Sequence, residues 1–478
     1  MVFSNAVFLF VFLPVVIGGY YLLRGRARNY WLLAFSLIFY GWNKPSFLWI
    51  LLVSIAANYL GAMALEEAPR KGTKKWLLTA TVAVNLLLLF YFKYFNFTME
   101  ILERLLSRQV NFTEVVLPIG ISFFTFQGLS YVVDVYREEV PAQKNPFKLG
   151  MYISLFPQLV AGPIVRYRDV VAEIDNRSVS LDDLVCGVRR FIIGLFKKIV
   201  IADTLAVVAN TVFDRAPSFN TVSSAWLGAI CYALQLFFDF AGYSDMAIGM
   251  GRMFGFHFLE NFNYPYIAKS ITEFWRRWHI SLSSFFRDYV YIPLGGNRKR
   301  VYLNVAIVFL LTGIWHGAAF TFIAWGIWHG VFNLSERVVR NWKKKRGTPP
   351  ATGLKAVLSS VAGHVYTLLV VLIGWVLFRA SGLTHGKEFL LSMVGLHNAN
   401  SYDYLRLRYY LDNWTLCVLI VAIVMATPLP KLVLEKAKQK LPEAVCDIAA
   451  NTLLMLALIL CVLQVASNTY SAFIYFQF

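Results

Sequence analysis

Acidic side chains are scarce in this sequence. Asp and Glu together number 27 in 478 residues, against 45 Lys and Arg, for a formal net charge of +18. Charged residues of both signs make up 15% of the chain, where soluble domains average about one-quarter. Cysteine is sparse as well, five in all, which excludes a disulfide scaffold. No two of them have zinc-ligand spacing, so they read as packing residues and no metal centre is expected. Long polar stretches are missing too. The hydrophilic segments 138–148, 166–182, 342–352 and 397–412 are each too short to fold alone, so residues 1–478 read as a single membrane domain. There is no His-x-x-x-His or Glu-x-x-His pattern, nucleophile elbow, phosphate loop or dinucleotide fingerprint. The basic excess is scattered between apolar runs, which argues against a nucleic-acid binder.

What the chain does contain is hydrocarbon. Hydrophobic residues are 58% and aromatic residues 16% of the total, with a mean hydropathy of +0.57. That excludes disorder and points to an all-α, polytopic integral membrane protein. A bilayer core of ~30 Å needs about 20 apolar residues per helix. Segments 2–23, 76–94, 115–135, 226–250, 301–324, 354–378, 414–427 and 448–465 meet or approach that requirement. Shorter or interrupted runs are 30–40 with 47–60, 149–165, 184–209 and 325–338. The total predicts roughly 11 or 12 membrane helices with re-entrant or interfacial pieces. Pro157 and the Gly162-Pro163 pair interrupt 149–165. Broken backbone survives in lipid only where protein or a wet cavity covers it, so these breaks predict a cavity within the membrane. No basic residue precedes 2–23, whereas Arg24, Arg26 and Arg28 follow it. A cleavable signal is therefore not expected, and the positive-inside rule predicts an external N-terminus with the basic turn in the cytoplasm. Lys197-Lys198, Arg298-Lys299-Arg300 and the run from Arg337 to Arg346 are read as cytoplasmic loops by the same rule.

Polar residues enter the apolar chain in three clusters. Gln235, Asp239 and Tyr243 recur every four residues in one span, so on a helix they share a face. That face is either an interhelical hydrogen-bond seam or the lining of a polar cavity. Between Ile271 and Phe286, apolar residues fall at three- and four-residue spacing, while Thr272, Arg276, His279 and Ser283 lie on another face. Glu273 and Arg277 are spaced to pair at i,i+4. An interfacial amphipathic helix accounts for the stripe but does not require a histidine. The third cluster is Trp315-His316-Gly317 within the run 301–328, which has no formal charge at neutral pH. Gly313 and Gly317 permit close backbone approach by a helix or a substrate. On one straight helix His316 and His329 would lie about 220° apart, which argues against a metal shared between them. The sequence Pro293-Leu294-Gly295-Gly296-Asn297-Arg298 reads as a basic turn that either only follows the interfacial helix or cradles phosphate.

Several of these motifs, in order, resemble the membrane-bound O-acyltransferases, in the bacterial branch of alginate O-acetylation proteins. The resemblance rests on residues 275–283, Arg287-Asp288-Tyr289, residues 293–298, 117–123, 156–163 and 238–245, and on Trp315-His316-Gly317-Ala318. It extends from Met1-Val2-Phe3-Ser4 to the aromatic C-terminus Phe473–Phe478. The resemblance implies a helical fold around a transmembrane tunnel, with two polar residues meeting at its middle. They map to His316, nearly invariant in the superfamily, and to His279, at a position that is Asn, Asp or His.

The resulting expectation is acetyl transfer through the membrane. Acetyl-CoA is the implied donor, with no bound cofactor. Its phosphates would meet some of Arg276, Arg277, Arg298, Lys299 and Arg300 on the cytoplasmic face. His316 would deprotonate an acceptor hydroxyl, while His279 orients it or stabilises the oxyanion. Gln235, Asp239, Tyr243, Ser283 and Trp315 are the candidates to line the tunnel. The implied acceptor is a periplasmic hydrolase-like acetyltransferase or the polysaccharide itself, in alginate-type O-acetylation. Rival readings are a transporter or channel for a polar solute and an acyltransferase for long chains.

Overall fold

In a solvent without hydrogen bonds, backbone amides must pair within their own segment, and this chain meets that demand with helices. The computed structural model describes residues 1–160, 162–347, 351–397 and 407–467, and no strand occurs among them. Ala161 and the aromatic C-terminal residues 473–478 lie outside the described residues. The described chain divides into two compact units. The first comprises Met1–Gly194 and Tyr243–Glu260, and the second comprises Leu195–Gly242 and the described residues from Asn261 on.

The first unit contains a π-helical turn (Phe8–Phe12) leading into α1 (Leu13–Leu22), then α2 (Ala27–Gly41), α3 (Phe47–Glu67), α4 (Lys71–Leu106), α5 (Ile121–Tyr136), α6 (Pro146–Ser154), α7 (Phe156–Leu159), α8 (Tyr167–Asp175) and most of α9 (Leu181–Phe196). Aromatic rings of Phe3, Phe8, Phe12, Phe39 and Phe156 form its centre, and Tyr243 stacks on Phe3 at 4.4 Å. A reciprocal pair of 3.0 Å hydrogen bonds between the buried amides of Asn58 and Asn85 joins α3 to α4. Each amide thereby satisfies the other where lipid offers nothing. Arg190 bridges Asp245 at 2.8 Å and Glu260 at 2.5 Å.

The second unit begins with a π-helical turn (Lys197–Ala202) and continues through α10 (Asp203–Phe213) and α11 (Val222–Met253), whose last residues belong to the first unit. It goes on with α12 (Ile271–Arg277), α13 (Ile280–Phe286), a π-helical turn (Arg287–Tyr291), α14 (Val301–His316), α15 (Phe320–Lys345), α16 (Gly353–Arg379), α17 (Leu383–Met393), α18 (Leu407–Tyr410), α19 (Asn413–Met425), α20 (Leu429–Lys440) and α21 (Glu443–Ala466).

Five described helices are long and apolar enough to cross a membrane (α3, α4, α11, α16 and α21), or six if α19 and α20, bent by 71°, form one span. The larger number expected from apolar runs differs because many of those runs are broken. Segment 149–165 is divided between α6 and α7, with a break at Leu155. The run 301–338 is two helices, since α14 ends at His316 and α15 starts at Phe320. At 1.5 Å per residue α14 is ~24 Å long, short of a ~30 Å core. Glycines let the two helices touch. A Cβ on Gly313 would lie 2.5 Å from the Phe322 carbonyl oxygen, and one on Gly326 would lie 2.6 Å from that of Phe309.

In the first unit, His257 links two helices, its protonated ring donating to the carboxylates of Glu173 (2.8 Å) and Asp183 (3.3 Å). Its pKa is raised above the ordinary 6.5, chiefly by the hydrogen bond to Glu173. The protonated ring therefore stabilises the fold fully below about 6.5, and that stabilisation disappears as pH rises through the raised folded value. Thermal unfolding of detergent-solubilised protein should show a wild-type advantage over His257→Gln at pH 6 that shrinks towards pH 9. A difference independent of pH would contradict this assignment.

Candidate functional site

The segment 271–286, expected as one amphipathic helix, is two. Helix α12 stops at Arg277, Trp278 is extended, and His279 adopts a left-handed backbone (φ 44°, ψ 57°) before α13 begins. Such a conformation in a non-glycine residue costs on the order of 1–3 kcal/mol, so the surroundings must impose it. Asn261 does so. Its backbone carbonyl accepts from Ile280 N at 2.9 Å. Its side-chain Oδ1 accepts from Ser281 N (3.2 Å) and Ser281 Oγ (2.9 Å), and lies 3.1 Å from His279 Nδ1. The break corrects the expected polar face: Thr272, Arg276, His279 and Ser283 do not share one helix side.

The same contacts assign the tautomer of His279. An oxygen that already accepts two donors accepts a third, so Nδ1 carries the hydrogen and Nε2 keeps its lone pair. His279 is fully buried, and Nε2 has no hydrogen-bond partner among the described residues. The edge of Phe240 packs against the ring at 4.6 Å.

His316 ends α14, where Gly317 takes an extended conformation and the Phe322 ring occupies the space a Cβ on Gly317 would need. The imidazole is nearly buried and packs edge-to-face on Trp315 (4.9 Å), Trp325 (4.9 Å) and Phe378 (5.1 Å). Trp315 also faces His279, at 6.0 Å. One indole thus touches both imidazoles although their residues are distant in sequence. His329, expected to point away from His316 on a straight helix, instead shares Trp325 with it at 5.2 Å. The helix break after His316 is the reason.

The other candidates are placed as follows. Arg277 pairs with Glu273 at 2.9 Å, the i,i+4 contact its spacing predicts. Arg276, Arg298, Lys299 and Arg300 are exposed. The last three sit in a turn with left-handed Gly295, Gly296 and Arg300, held by the Asn304 amide, which donates to the Gly296 and Lys299 carbonyls. The Ser283 hydroxyl donates to the Trp275 carbonyl at 3.1 Å. Gln235 and Asp239 are buried in α11, whereas Tyr243 belongs to the first unit, against Phe3. The Asp239 carboxylate lies 2.7 Å from Lys198 Nζ, which is also 2.7 Å from Asp203. Lys198, expected in a cytoplasmic loop, is almost fully buried. The signal in the sequence is its charge within an apolar run, which Lys197 beside it makes resemble a loop. Asn261 and Glu336 were also not legible as structural residues. Glu336, in α15, accepts from Ile271 N, Thr272 N and Thr272 Oγ1, capping α12 from another helix. No group of three metal-ligating side chains occurs among the described residues.

Comparison with known proteins agrees with this architecture. The sequence profile of the membrane-bound O-acyltransferase family matches residues 35–359. A probable alginate O-acetylase of Pseudomonas putida is 40% identical, with all of both chains covered. A probable alginate O-acetylase of Pseudomonas aeruginosa is 46% identical, over 80% of this chain and 73% of the relative. A peptidoglycan O-acetyltransferase of Helicobacter pylori is 34% identical, over 84% of this chain and 81% of the relative.

Two substitutions test the supports of the site. Asn261→Ala removes one acceptor from three donors and should lower stability by about 1–3 kcal/mol, measured by thermal unfolding in detergent. Lys198→Met leaves Asp239 buried without its counter-charge and should cost about 3–5 kcal/mol in the same measurement. Wild-type stability in either variant would show that the partner is dispensable.

Proposed function

The chain belongs to the membrane-bound O-acyltransferase family, and from that premise we propose that it transfers an acetyl group from cytoplasmic acetyl-CoA to a hydroxyl of an extracytoplasmic polysaccharide of the alginate type, directly or through a periplasmic acetyltransferase. The observation that carries this reading is the arrangement of His279 and His316 on a common indole, Trp315. Two buried imidazoles packed against aromatic rings provide hydrogen-bonding and proton-transfer groups. Relatives named as alginate O-acetylases and as a peptidoglycan O-acetyltransferase support acetyl as the group and a polysaccharide as acceptor.

In this mechanism the acceptor hydroxyl gives its proton to His316 while its oxygen attacks the thioester carbonyl carbon. The carbon–sulfur bond then breaks, and the departing thiolate recovers the proton from the imidazolium, so the base is regenerated. His279 has a narrower role than sequence alone allowed. With Nδ1–H committed to Asn261, Nε2 accepts and does not donate. It orients the acceptor hydroxyl rather than stabilising the oxyanion. The donor phosphates remain at the basic end formed by Arg298, Lys299 and Arg300 and the C-terminal lysines of α15, where charge attracts a polyanion. A membrane passage between the two sides keeps donor and acceptor apart, with the N-terminus outside the inner membrane.

The family match favours acyl chemistry over the transporter reading. His316→Ala, purified with an unchanged elution profile, should lose at least about 100-fold in acetyl transfer. Undiminished transfer by that variant would remove the proposed base. Acetyl-CoA should be turned over in preference to palmitoyl-CoA; the reverse preference would reassign the enzyme to long-chain transfer.

A further inference from the structure

His329 stands out as a polar group the mechanism above does not use. Its imidazole is fully buried, and neither Nδ1 nor Nε2 has a hydrogen-bond partner among the described residues. Its neighbours are rings: Trp275 at 5.1 Å, Trp325 at 5.2 Å, Trp375 at 6.2 Å and Phe274 at 6.5 Å. The indole N–H groups of Trp275 and Trp325 likewise have no hydrogen-bond partner among the described residues. Gly374 leaves room for the imidazole, since a Cβ there would lie 2.5 Å from Nε2. A histidine serving only as core is normally satisfied through at least one nitrogen, because an unmet buried polar group costs on the order of 1–3 kcal/mol. Phenylalanine would fill this aromatic cage without that cost.

The position of His329 along the hairpin indicates what uses it. Helices α14 and α15 run antiparallel with their basic ends together. Arg337 donates to Asn297 Oδ1 at 3.1 Å, and Asn341 donates to the Tyr302 hydroxyl at 3.5 Å. His316 lies at the opposite, loop end. His329 lies about 14 Å along α15 from its start at Phe320, towards Lys345, at 1.5 Å per residue. It therefore stands between the basic end and His316, with Trp325 shared between the two imidazoles. No ion pair to His329 occurs among the described residues, so the cage suits an uncharged ligand. A neutral imidazole presents one donor and one acceptor, which matches an amide or a thioester carbonyl and not a phosphate.

We propose that His329 is a donor-contacting residue, hydrogen-bonding an uncharged amide or thioester carbonyl of the acyl donor on its path from the basic end to His316. This rests on the reading of His316 as the base and of the basic end as the donor's entry.

The test uses full-length protein in lipid nanodiscs, with acetyl-CoA and an alginate oligosaccharide as substrates. His329→Phe should fold with unchanged or higher thermal stability, raise the KM for acetyl-CoA at least about tenfold (a 1.4 kcal/mol loss per decade) and leave the KM for the oligosaccharide unchanged. Equilibrium titration of intrinsic tryptophan fluorescence with acetyl-CoA should show the same loss of affinity. His329→Gln, which keeps a donor and an acceptor, should recover part of it. Gly374→Ala, which presses a methyl group onto Nε2, should reproduce the donor defect. If His329→Phe fails to fold, the donor affinity of His329→Gln and Gly374→Ala decides, and wild-type values in both overturn the proposal. Wild-type donor affinity in His329→Phe, or a defect confined to kcat or to the oligosaccharide, also overturns it. His316→Ala in the same assay separates the two readings. Activity retained there removes the proposed base, whereas inactivity there with normal donor binding by His329→Phe removes only the role of His329.

Discussion

Asn261 Oδ1 accepts from Ser281 N and Ser281 Oγ and faces His279 Nδ1, and the site depends on that one oxygen. A helix broken inside an apolar protein exposes backbone donors that lipid cannot satisfy. Asn261 supplies the missing acceptor, and in doing so it permits the left-handed turn that directs the His279 ring inward. Because the same oxygen takes the Nδ1 hydrogen, the support of the backbone and the choice of tautomer are one event. The free lone pair on Nε2 follows from how the chain break is repaired.

The same economy recurs at the other breaks. The turn before α14 is held by Asn304, which donates to two carbonyls that no helix would satisfy. The N-terminus of α12 is capped by Glu336 from α15, so the helix carrying Trp275 is tied to the one carrying Trp325 and His329. Glycine contacts between Gly313 and Gly326 bring α14 and α15 together, and the extended Gly317 ends α14 at His316. Lys198 and Asp239 show the complementary solution. These two buried charges pair with each other, while the rings of His279, His316 and His329 pack against aromatic side chains. A general base in such surroundings needs no counter-ion while neutral, and becomes cationic only as it takes a proton from substrate.

Much of this was legible in the residues. Hydropathy specified helices in a membrane, the i,i+4 pairing of Glu273 with Arg277 formed as spaced, and the ordered motifs around Trp275–Ser283 and Trp315–Ala318 led to the family. Face arithmetic failed where it assumed unbroken helices. It put His279 on one side with Thr272, Arg276 and Ser283, and turned His329 away from His316. Lys198 was assigned to a loop because charge in an apolar run looked like an end of one. For His279 and Lys198 the deciding partners, Asn261 and Asp239, lie far along the sequence; for the two histidines of the hairpin it is Trp325, which meets both only because the chain turns back after His316.

Composition and motif order by themselves determined that this is a helical, multi-pass membrane protein of an O-acyltransferase family, because apolar run length and motif identity are local properties of the chain. Tertiary structure alone decided which nitrogen of His279 is free, that Trp315 joins it to His316, and that His329 lies behind Trp325. Those outcomes depend on where helices break and on which remote group satisfies the exposed backbone, and periodicity along a single segment carries no information about either.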